Sequence, residues 1–158
     1  MYSSSLKLWS FITTGVIWLQ LVIGAIMRHT ESGLAALDFP TMNGKWLPSF
    51  SKSALEKINN TRLLMSFENI LDLETITTGQ LFIHFLHRFW GYVIFFLVGW
   101  FVIKILREIS LPRFIKMSSM GLGILLITQI GLGSITVLSH KAVVITTLHV
   151  TNGAAVLG

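Results

Sequence analysis

The sequence contains no cysteine, and charged residues are scarce in it. With no cysteine among its 158 residues, this chain alone forms no disulfide, no cysteine-ligated zinc site and no iron–sulfur cluster. Charged residues make up 12% of the chain, compared with about 25% of an average soluble domain. Hydrophobic residues make up 53%. This composition indicates an integral membrane protein.

The motifs of several soluble enzyme classes are also absent. No glycine-rich phosphate loop precedes a helix, and neither a G-x-S-x-G elbow nor an H-E-x-x-H metal helix is present. The net charge of +5 does not indicate nucleic-acid binding, because the positive residues lie at the ends of apolar segments and not on a soluble face. We therefore expect membrane lipid, and not nucleic acid, around this protein.

Four apolar stretches are candidates for membrane spans. A spanning helix needs about 20 apolar residues, within a range of about 17–25. The first stretch is too long for a signal-peptide core and lacks a small-x-small cleavage pattern, so we expect it to be retained. We predict an all-α integral membrane protein, with a four-transmembrane-helix bundle forming a single domain over residues 1–158. The stretches are Leu8 to Met27, Leu81 to Ile103, Met117 to Leu138 and Ala142 to Gly158.

Positive residues predict the topology. The loop between the second and third stretches carries four cations and one acid, so the positive-inside rule places it in the cytoplasm. Lys7, before the first stretch, agrees. Both termini are then cytoplasmic, and residues 28–79, here called the outer segment, lie outside with the turn at 139–141. The loop residues are Lys104, Arg107, Glu108, Arg113 and Lys116.

Two histidines lie inside apolar stretches, each followed by glycine one helical turn later. The pairs are His87 with Gly91 and His149 with Gly153. A histidine in hydrocarbon is costly unless it is bonded, so it reads as functional by default. The predicted topology places both about 10–12 Å below the outer boundary. We expect the histidines to be the axial ligands of one heme, with the glycines leaving room for its flat ring.

The first and third stretches resemble each other as well. Gln20-x-x-x-Gly24 in the first corresponds to Gln129-x-x-x-Gly133 in the third. The chain therefore reads as an internal two-helix repeat, each pair being a Gln-x-x-x-Gly helix followed by a His-x-x-x-Gly helix. This predicts a pseudo-twofold axis along the membrane normal. The small residues at Gly24 and Gly133 allow close helix contact, and packing alone also explains them.

Further polar residues lie near the outer ends of the stretches. His84 shares a helix face with His87, so it is placed to contact a substrate, move protons or bond a propionate; a structural bond to a loop carbonyl is the alternative. Arg88 and Arg28 are cations suited to heme propionates, because guanidinium pairs with carboxylate in a forked geometry. Snorkelling to lipid headgroups is the alternative for Arg88. His84 and His87 with a third ligand would form a zinc or copper site.

The outer segment begins with turns and continues with a helical pattern. Pro40, Asn43-Gly44 and Pro48 mark the turns. Apolar residues then recur at helical spacing, which predicts a short amphipathic helix on the outer membrane surface or an ordinary ectodomain helix. These apolar residues are Leu63, Leu64, Phe67, Ile70 and Leu71.

In order and spacing, three segments resemble the heme A synthase family of cytochrome oxidase assembly proteins. Residues 28–34 (Arg-His-Thr-Glu-Ser-Gly-Leu) resemble the sequence after the family's first helix. Residues 85–91 (Phe-Leu-His-Arg-Phe-Trp-Gly) resemble its first heme-ligand motif. Residues 131–139 followed by Leu148-His149 resemble its third helix, turn and second ligand. The resemblance runs through most of the chain.

The resemblance implies an oxidoreductase that oxidises the C8 methyl of heme O to a formyl group, giving heme A for cytochrome oxidase. It implies heme b, heme O or both as the bound cofactor, with His87 and His149 as axial ligands, in a bacterial or archaeal cell membrane. Family members usually have eight spans in two halves, so we expect a fragment or a half-size protein that forms a homo-oligomer. We also expect a separate electron donor, because the chain has no flavin or nicotinamide motif.

Two departures from the family affect the expected chemistry. His84 stands where the family's substrate half commonly has a glutamate that is thought to act in the oxidation. His84 thus becomes the candidate catalytic residue, with Glu31 or Glu68 as a carboxylate from the outer segment. Ala36 and Met42 lie where the family often has two cysteines. Two other functions stay open: a non-catalytic bis-histidine heme carrier for electron transfer or oxidase assembly, and a transporter or structural bundle.

Overall fold

The structure is a computed structural model that describes residues 4–68 and 70–157. This part of the chain contains five α-helices, a short 3-10 helix at Ser32–Leu34 and no β-strand, so the predicted all-α class is confirmed. Residues 1–3, Asn69 and Gly158 belong to the predicted domain but lie outside the described residues. The helices are α1 (Ser4–His29), α2 (Lys52–Phe67), α3 (Thr78–Arg107), α4 (Arg113–Leu138) and α5 (Val143–Leu157).

Within residues 4–68 and 70–157, three helices are long and apolar enough to cross a membrane. They are α1 with 26 residues, α3 with 30 and α4 with 26. At about 1.5 Å per residue each exceeds the roughly 30 Å of a bilayer's hydrocarbon core. The helix α5 is apolar but has 15 residues. The first three predicted spans are therefore confirmed as helices of sufficient length, while the fourth, whose predicted end at Gly158 is not described, stays a prediction.

The start of α3 shows how polar residues define the boundary of an apolar helix. Thr77 accepts a hydrogen bond at its side-chain oxygen from the backbone N–H of Gln80, at 3.2 Å. The Gln80 side chain accepts in return from the backbone N–H of Thr77, at 2.8 Å. This capping box satisfies two of the free donors at a helix start. Because of it the helix begins at Thr78, three residues before the apolar stretch.

Four helices pack around a shared apolar core. The helix α1 packs on α3 and α5, and α4 packs on α3 and α5. Buried aliphatic side chains from all four meet in the middle, and the Trp90 indole donates to the Val16 carbonyl at 3.0 Å. This arrangement places each histidine-bearing helix beside both glutamine-bearing helices. The core residues are Ile17, Ile94, Val98, Val102, Leu126 and Val156.

The outer segment folds onto one end of these helices. Asn43 and Gly44 have φ of 53° and 75°, and Met42 and Lys45 exchange two backbone hydrogen bonds, so the predicted Asn-Gly turn is confirmed. The predicted helix is also present as α2, although it ends at Phe67. Ile70 and Leu71 therefore lie beyond it. Leu64 and Phe67 are exposed, which suits a helix that lies against another apolar surface.

Candidate functional site

The His87 imidazole lies in the contact between α3 and α1. A Cβ built on Gly24 of α1 would lie 3.2 Å from His87 Cε1, so the ring packs directly on the glycine backbone. The Nδ1 atom is buried and has no hydrogen-bond partner within the described residues. The ring is thus confined by a neighbouring helix, while one nitrogen remains unbonded.

His149 has an equivalent environment on α5. A Cβ built on Gly133 of α4 would lie 3.0 Å from His149 Cε1 and 3.5 Å from Nδ1. The Nδ1 atom of this ring is also buried without a partner among the residues described. Along the helices, His87 lies nine residues after Thr78 and His149 six after Val143. These counts start at the first helical residue, which in α3 lies three residues before the apolar stretch, so the equal depth of the two histidines stays a prediction.

The glycines that follow the histidines contact glutamine side chains. A Cβ on Gly91 would lie 3.5 Å from Gln20 Nε2, and one on Gly153 would lie 3.0 Å from Gln129 Nε2. The amides of the neighbouring helices therefore occupy the space beside these two glycines. In this structure the two glycines serve helix packing, and their predicted place beside the flat ring of a heme stays a prediction.

The donor set suits a heme better than a small metal site. Two imidazoles on different helices, each with a buried unbonded nitrogen, are the ligand type that holds heme iron. The described residues contain no group of three His, Cys, Asp or Glu side chains close enough to hold a metal ion. The zinc or copper alternative at His84 and His87 therefore has no third protein ligand in that part of the chain.

His84 is held by the outer segment. Its side chain is 2% exposed, Arg88 Nε donates to its Nε2 at 2.9 Å, and the Ala36 N–H approaches its Nδ1 at 3.3 Å. A neutral imidazole accepts at only one ring nitrogen, so the shorter contact with Arg88 is the stronger hydrogen bond. The loop contact of His84 is the backbone N–H of Ala36, whereas the structural alternative expected a loop carbonyl. Whether His84 has a structural role stays a prediction.

Arg88 connects α3 to the outer segment. Its Nη1 donates to the Thr41 carbonyl at 2.7 Å, and its guanidinium lies 5.8 Å from the centre of the Phe39 ring. These hydrogen-bond and ring partners are neutral. Arg28 lies exposed in the last turn of α1, at the same end of the molecule. Lys141 packs beside Gly33 there, since a Cβ on that glycine would lie 2.8 Å from Lys141 Cε.

The candidate carboxylates are on the surface. Glu31 is exposed and has a left-handed backbone with φ of 53°, and Glu68 is exposed at the end of α2. The structure brings His84 and Arg88 into contact but shows no hydrogen bond between either carboxylate and His84 in the described chain. Their proposed part in the chemistry has no support from these contacts.

The contacts of the two glutamines were not predicted from the sequence. The repeat pattern placed Gln20 and Gln129 at corresponding positions without assigning them a role. In the structure each glutamine amide packs against the neighbouring helix that carries a candidate ligand. Gln20 Nε2 also donates to the His87 carbonyl at 3.1 Å. The signal was available, because an uncharged polar side chain inside a membrane span normally requires a partner.

Comparison with known proteins identifies relatives over almost the whole chain. A family model described as "Cytochrome oxidase assembly protein" matches residues 2–158. A protein named "Heme A synthase" from Rickettsia felis (strain ATCC VR-1525 / URRWXCal2) is 30% identical over 142 residues. Proteins of the same name from Rickettsia africae (strain ESF-5) and Rickettsia bellii (strain OSU 85-389) are 28% and 27% identical over the same length.

These alignments cover a much larger share of this chain than of its relatives. They include 90% of this chain but 37% of each relative, so the chain spans little more than a third of the length of the curated relatives it matches. No solved structure matches the chain. The family is therefore established by sequence.

Proposed function

Because the chain belongs to the cytochrome oxidase assembly protein family, we propose that it is a heme protein of the membrane that acts in heme A biosynthesis. The reaction proposed is oxidation of the C8 methyl of heme O to a formyl group, which makes the chain an oxidoreductase. The observation that carries the proposal is the pair of half-buried imidazoles, His87 and His149, each packed on a glycine with a buried and unbonded Nδ1. The name shared by its relatives supports this reading.

The proposed architecture is a four-transmembrane-helix bundle in a bacterial cell membrane, with α5 as the fourth span and both termini cytoplasmic. The matching contacts of Gln20 with Gly91 and of Gln129 with Gly153 support an internal two-helix repeat. Lys104 and Arg107 at the end of α3 support the orientation, since positive residues favour the cytoplasmic side.

In this proposal His87 and His149 hold the heme iron through ring nitrogens, one from each helix pair. The bound heme supplies the redox chemistry, which protein side chains cannot perform alone. The aliphatic core around Ile94 and Val98 excludes water from the helix interior. Arg88 supplies a half-buried positive charge toward the outer segment, where propionate carboxylates would find a guanidinium that forms no ion pair in the described chain. Arg28 adds a second cation at that end.

We further propose heme O as the substrate, a separate electron donor and a working unit of more than one copy. The absence of a flavin or nicotinamide motif from the sequence supports the separate donor. The proposed oligomer is a prediction from the family's two-half body plan.

The test is the absorption spectrum of the purified protein supplied with heme. We expect the wild type to show low-spin bis-histidine heme, and His87→Ala and His149→Ala to lose that signature. His140→Ala is the matched control, because His140 is an exposed histidine at the end of α4. Spectra of the first two variants that match the wild type would contradict the proposed ligands.

One observation favours a non-catalytic heme carrier as the second candidate. His84, the residue expected to replace a catalytic glutamate, has a donor at each ring nitrogen and is almost fully buried. In that position it serves structure better than proton transfer. Pigment extraction from cells supplied with heme O separates the two functions. Heme A that appears only with this chain supports the enzyme, and its absence with heme still bound supports the carrier.

A further inference from the structure

An open cleft runs along the last turns of α3, at the end of this helix that lies away from the outer segment. Its volume is about 340 Å³, and its lining has an apolar part and a charged part. Trp100 and Ile103, the apolar part, are 45% and 50% exposed. In the charged part, Lys104 directly follows the apolar stretch, Arg107 ends the helix and Glu108 comes next. The cleft therefore joins the part of α3 that suits hydrocarbon to a polar boundary.

Lys104 is held in this cleft by uncharged groups. Its Nζ atom lies 5.2 Å from the centre of the Trp100 ring and donates to Ser5 Oγ at 3.4 Å. Trp9 of α1 packs edge-on against Trp100, with 4.7 Å between the ring centres. An indole face attracts a cation, and tryptophan is enriched where a membrane meets water. Within the described chain neither Lys104 nor Arg107 forms an ion pair, so no direct contact with a carboxylate there neutralises them.

Glu108 is the acid that lines the cleft. Its carboxylate accepts a hydrogen bond from Ser110 Oγ at 2.7 Å. Hydrogen bonding to Ser110 lowers the pKa of Glu108 most, and the positive charges of Lys116 and Lys104 lower it further. The carboxylate is therefore ionised at neutral pH, where it opposes the entry of an anion. Three cations, Lys104, Arg107 and Lys116, outweigh this one carboxylate, so the field at this end of α3 is positive.

We propose that this cleft binds the headgroup of an anionic phospholipid. Lys104 and Arg107 bind the phosphodiester, and Trp100 and Ile103 contact the acyl chains. Basic pockets at the membrane boundary recognise anionic headgroups, and a guanidinium matches the geometry of phosphate oxygens. A dissolved phosphate ion would use the cations alone, and a zwitterionic lipid would bring its own cation toward them. An apolar lining beside a net positive charge therefore favours an anionic lipid, and the inference is independent of heme binding.

The experiment measures lipid binding to the full chain, purified in detergent and freed of lipid, by native mass spectrometry. Phosphatidylglycerol is compared with phosphatidylcholine that has the same acyl chains. We expect the wild type to prefer phosphatidylglycerol. One cation near a membrane surface strengthens the binding of an anionic lipid by about fivefold, so Lys104→Gln combined with Arg107→Gln should weaken phosphatidylglycerol binding by about 30-fold. Phosphatidylcholine binding should change much less.

Two further variants separate a specific site from a general attraction between opposite charges. Lys52→Gln combined with Lys57→Gln removes the same charge from exposed positions on α2, in the outer segment, and should leave phosphatidylglycerol binding unchanged. Glu108→Gln removes the carboxylate that opposes an anion, so it should tighten phosphatidylglycerol binding by up to about fivefold. A variant that only loosened the helices would bind the lipid more weakly, so the opposite sign distinguishes an electrostatic effect from a loss of folding.

Four results would each overturn the inference. A wild type that binds both lipids equally does not recognise the headgroup, and this measurement needs no variant to fold. An equal loss in the variant of Lys52 and Lys57 shows that any surface cation has the same effect. Displacement of phosphatidylglycerol by an equal concentration of inorganic phosphate shows a site for a dissolved ion. Weaker binding in Glu108→Gln shows that the bound group is not the anion proposed.

Discussion

The sharpest prediction concerns Gly133, because the chain contains a matched control two residues away. Gly133→Ala places a methyl group 3.0 Å from His149 Cε1 and 3.5 Å from His149 Nδ1. Gly131→Ala adds the same methyl to the same helix, but nothing lies within 4 Å of it. The intrinsic effect of exchanging glycine for alanine in a helix is therefore similar in both. Only Gly133→Ala displaces the proposed ligand.

The expected magnitude follows from the overlap. Overpacking a well-packed interior typically costs about 1–3 kcal/mol. A contact of 3.0 Å is relieved when the imidazole moves by a few tenths of an ångström, so the lower part of that range applies. Since about 1.4 kcal/mol is a factor of ten, we expect Gly133→Ala to bind heme about 5–20-fold more weakly than Gly131→Ala.

The assay is a heme titration of the purified proteins in detergent, followed by absorbance, with electron paramagnetic resonance of the low-spin iron as a second signal. Gly24→Ala, whose methyl would lie 3.2 Å from His87 Cε1, should give a smaller change in the same direction. If Gly133→Ala and Gly131→Ala agree within about twofold and have the same resonance spectrum, the claim that Gly133 confines the ligand is refuted.

Three further predictions concern the outer segment. Arg62→Met removes two hydrogen bonds from a buried guanidinium to backbone carbonyls, at 2.7 and 2.8 Å. It should destabilise the outer segment by about 1.5–3 kcal/mol, measured by hydrogen exchange. Lys57→Met, at an exposed position on the same helix, should not. Burial raises the pKa of Asp38, but hydrogen bonds from Thr41 and two backbone N–H groups outweigh it and lower the pKa overall. The contribution of Asp38 to the stability of the outer segment should therefore be complete above pH 3.8, the ordinary pKa, and should disappear as the pH falls through the lower folded-state pKa. If Asp38→Asn has the same pH profile of hydrogen exchange as the wild type, this prediction is wrong. Arg88→Gln should raise exchange at residues 36–42 without heme, because it removes the bond to the Thr41 carbonyl; unchanged exchange would show that the loop does not depend on Arg88.

The apolar pattern predicted where the long helices lie and that α4 ends at Leu138, but it did not predict their other ends. The predicted stretch from Leu8 to Met27 is a helix over Ser4–His29, and the stretch from Met117 to Leu138 is a helix over Arg113–Leu138. Hydropathy reports the part of a helix that suits hydrocarbon, whereas the helix itself continues into the boundary until a cap or a turn ends it. The end of α2 at Phe67 was missed for the opposite reason, since the apolar spacing continues to Ile70 and Leu71 after the helix has ended.

The candidate site was only partly predictable. The two histidines could be identified because an ionisable side chain within an apolar span is conspicuous in any sequence. What each ring touches could not be identified, because the contacts of His87 with Gly24 and Gln20 join residues more than sixty positions apart. The donors around His84 were missed as well, since Ala36 approaches from the outer segment through its backbone, which carries no sequence signal.

The sequence by itself determined the membrane character, the helix pattern, the paired histidines and the family, because each depends on residue types and on spacing along one chain. The tertiary structure alone decided which groups meet: His87 on Gly24, His149 on Gly133, and Gln20 on His87 in contrast to Gln129 on Asn152. The two glutamines are the same residue type at the same place in the repeat. Their difference arises from the side chains of the neighbouring helices, and these become neighbours only when the chain folds.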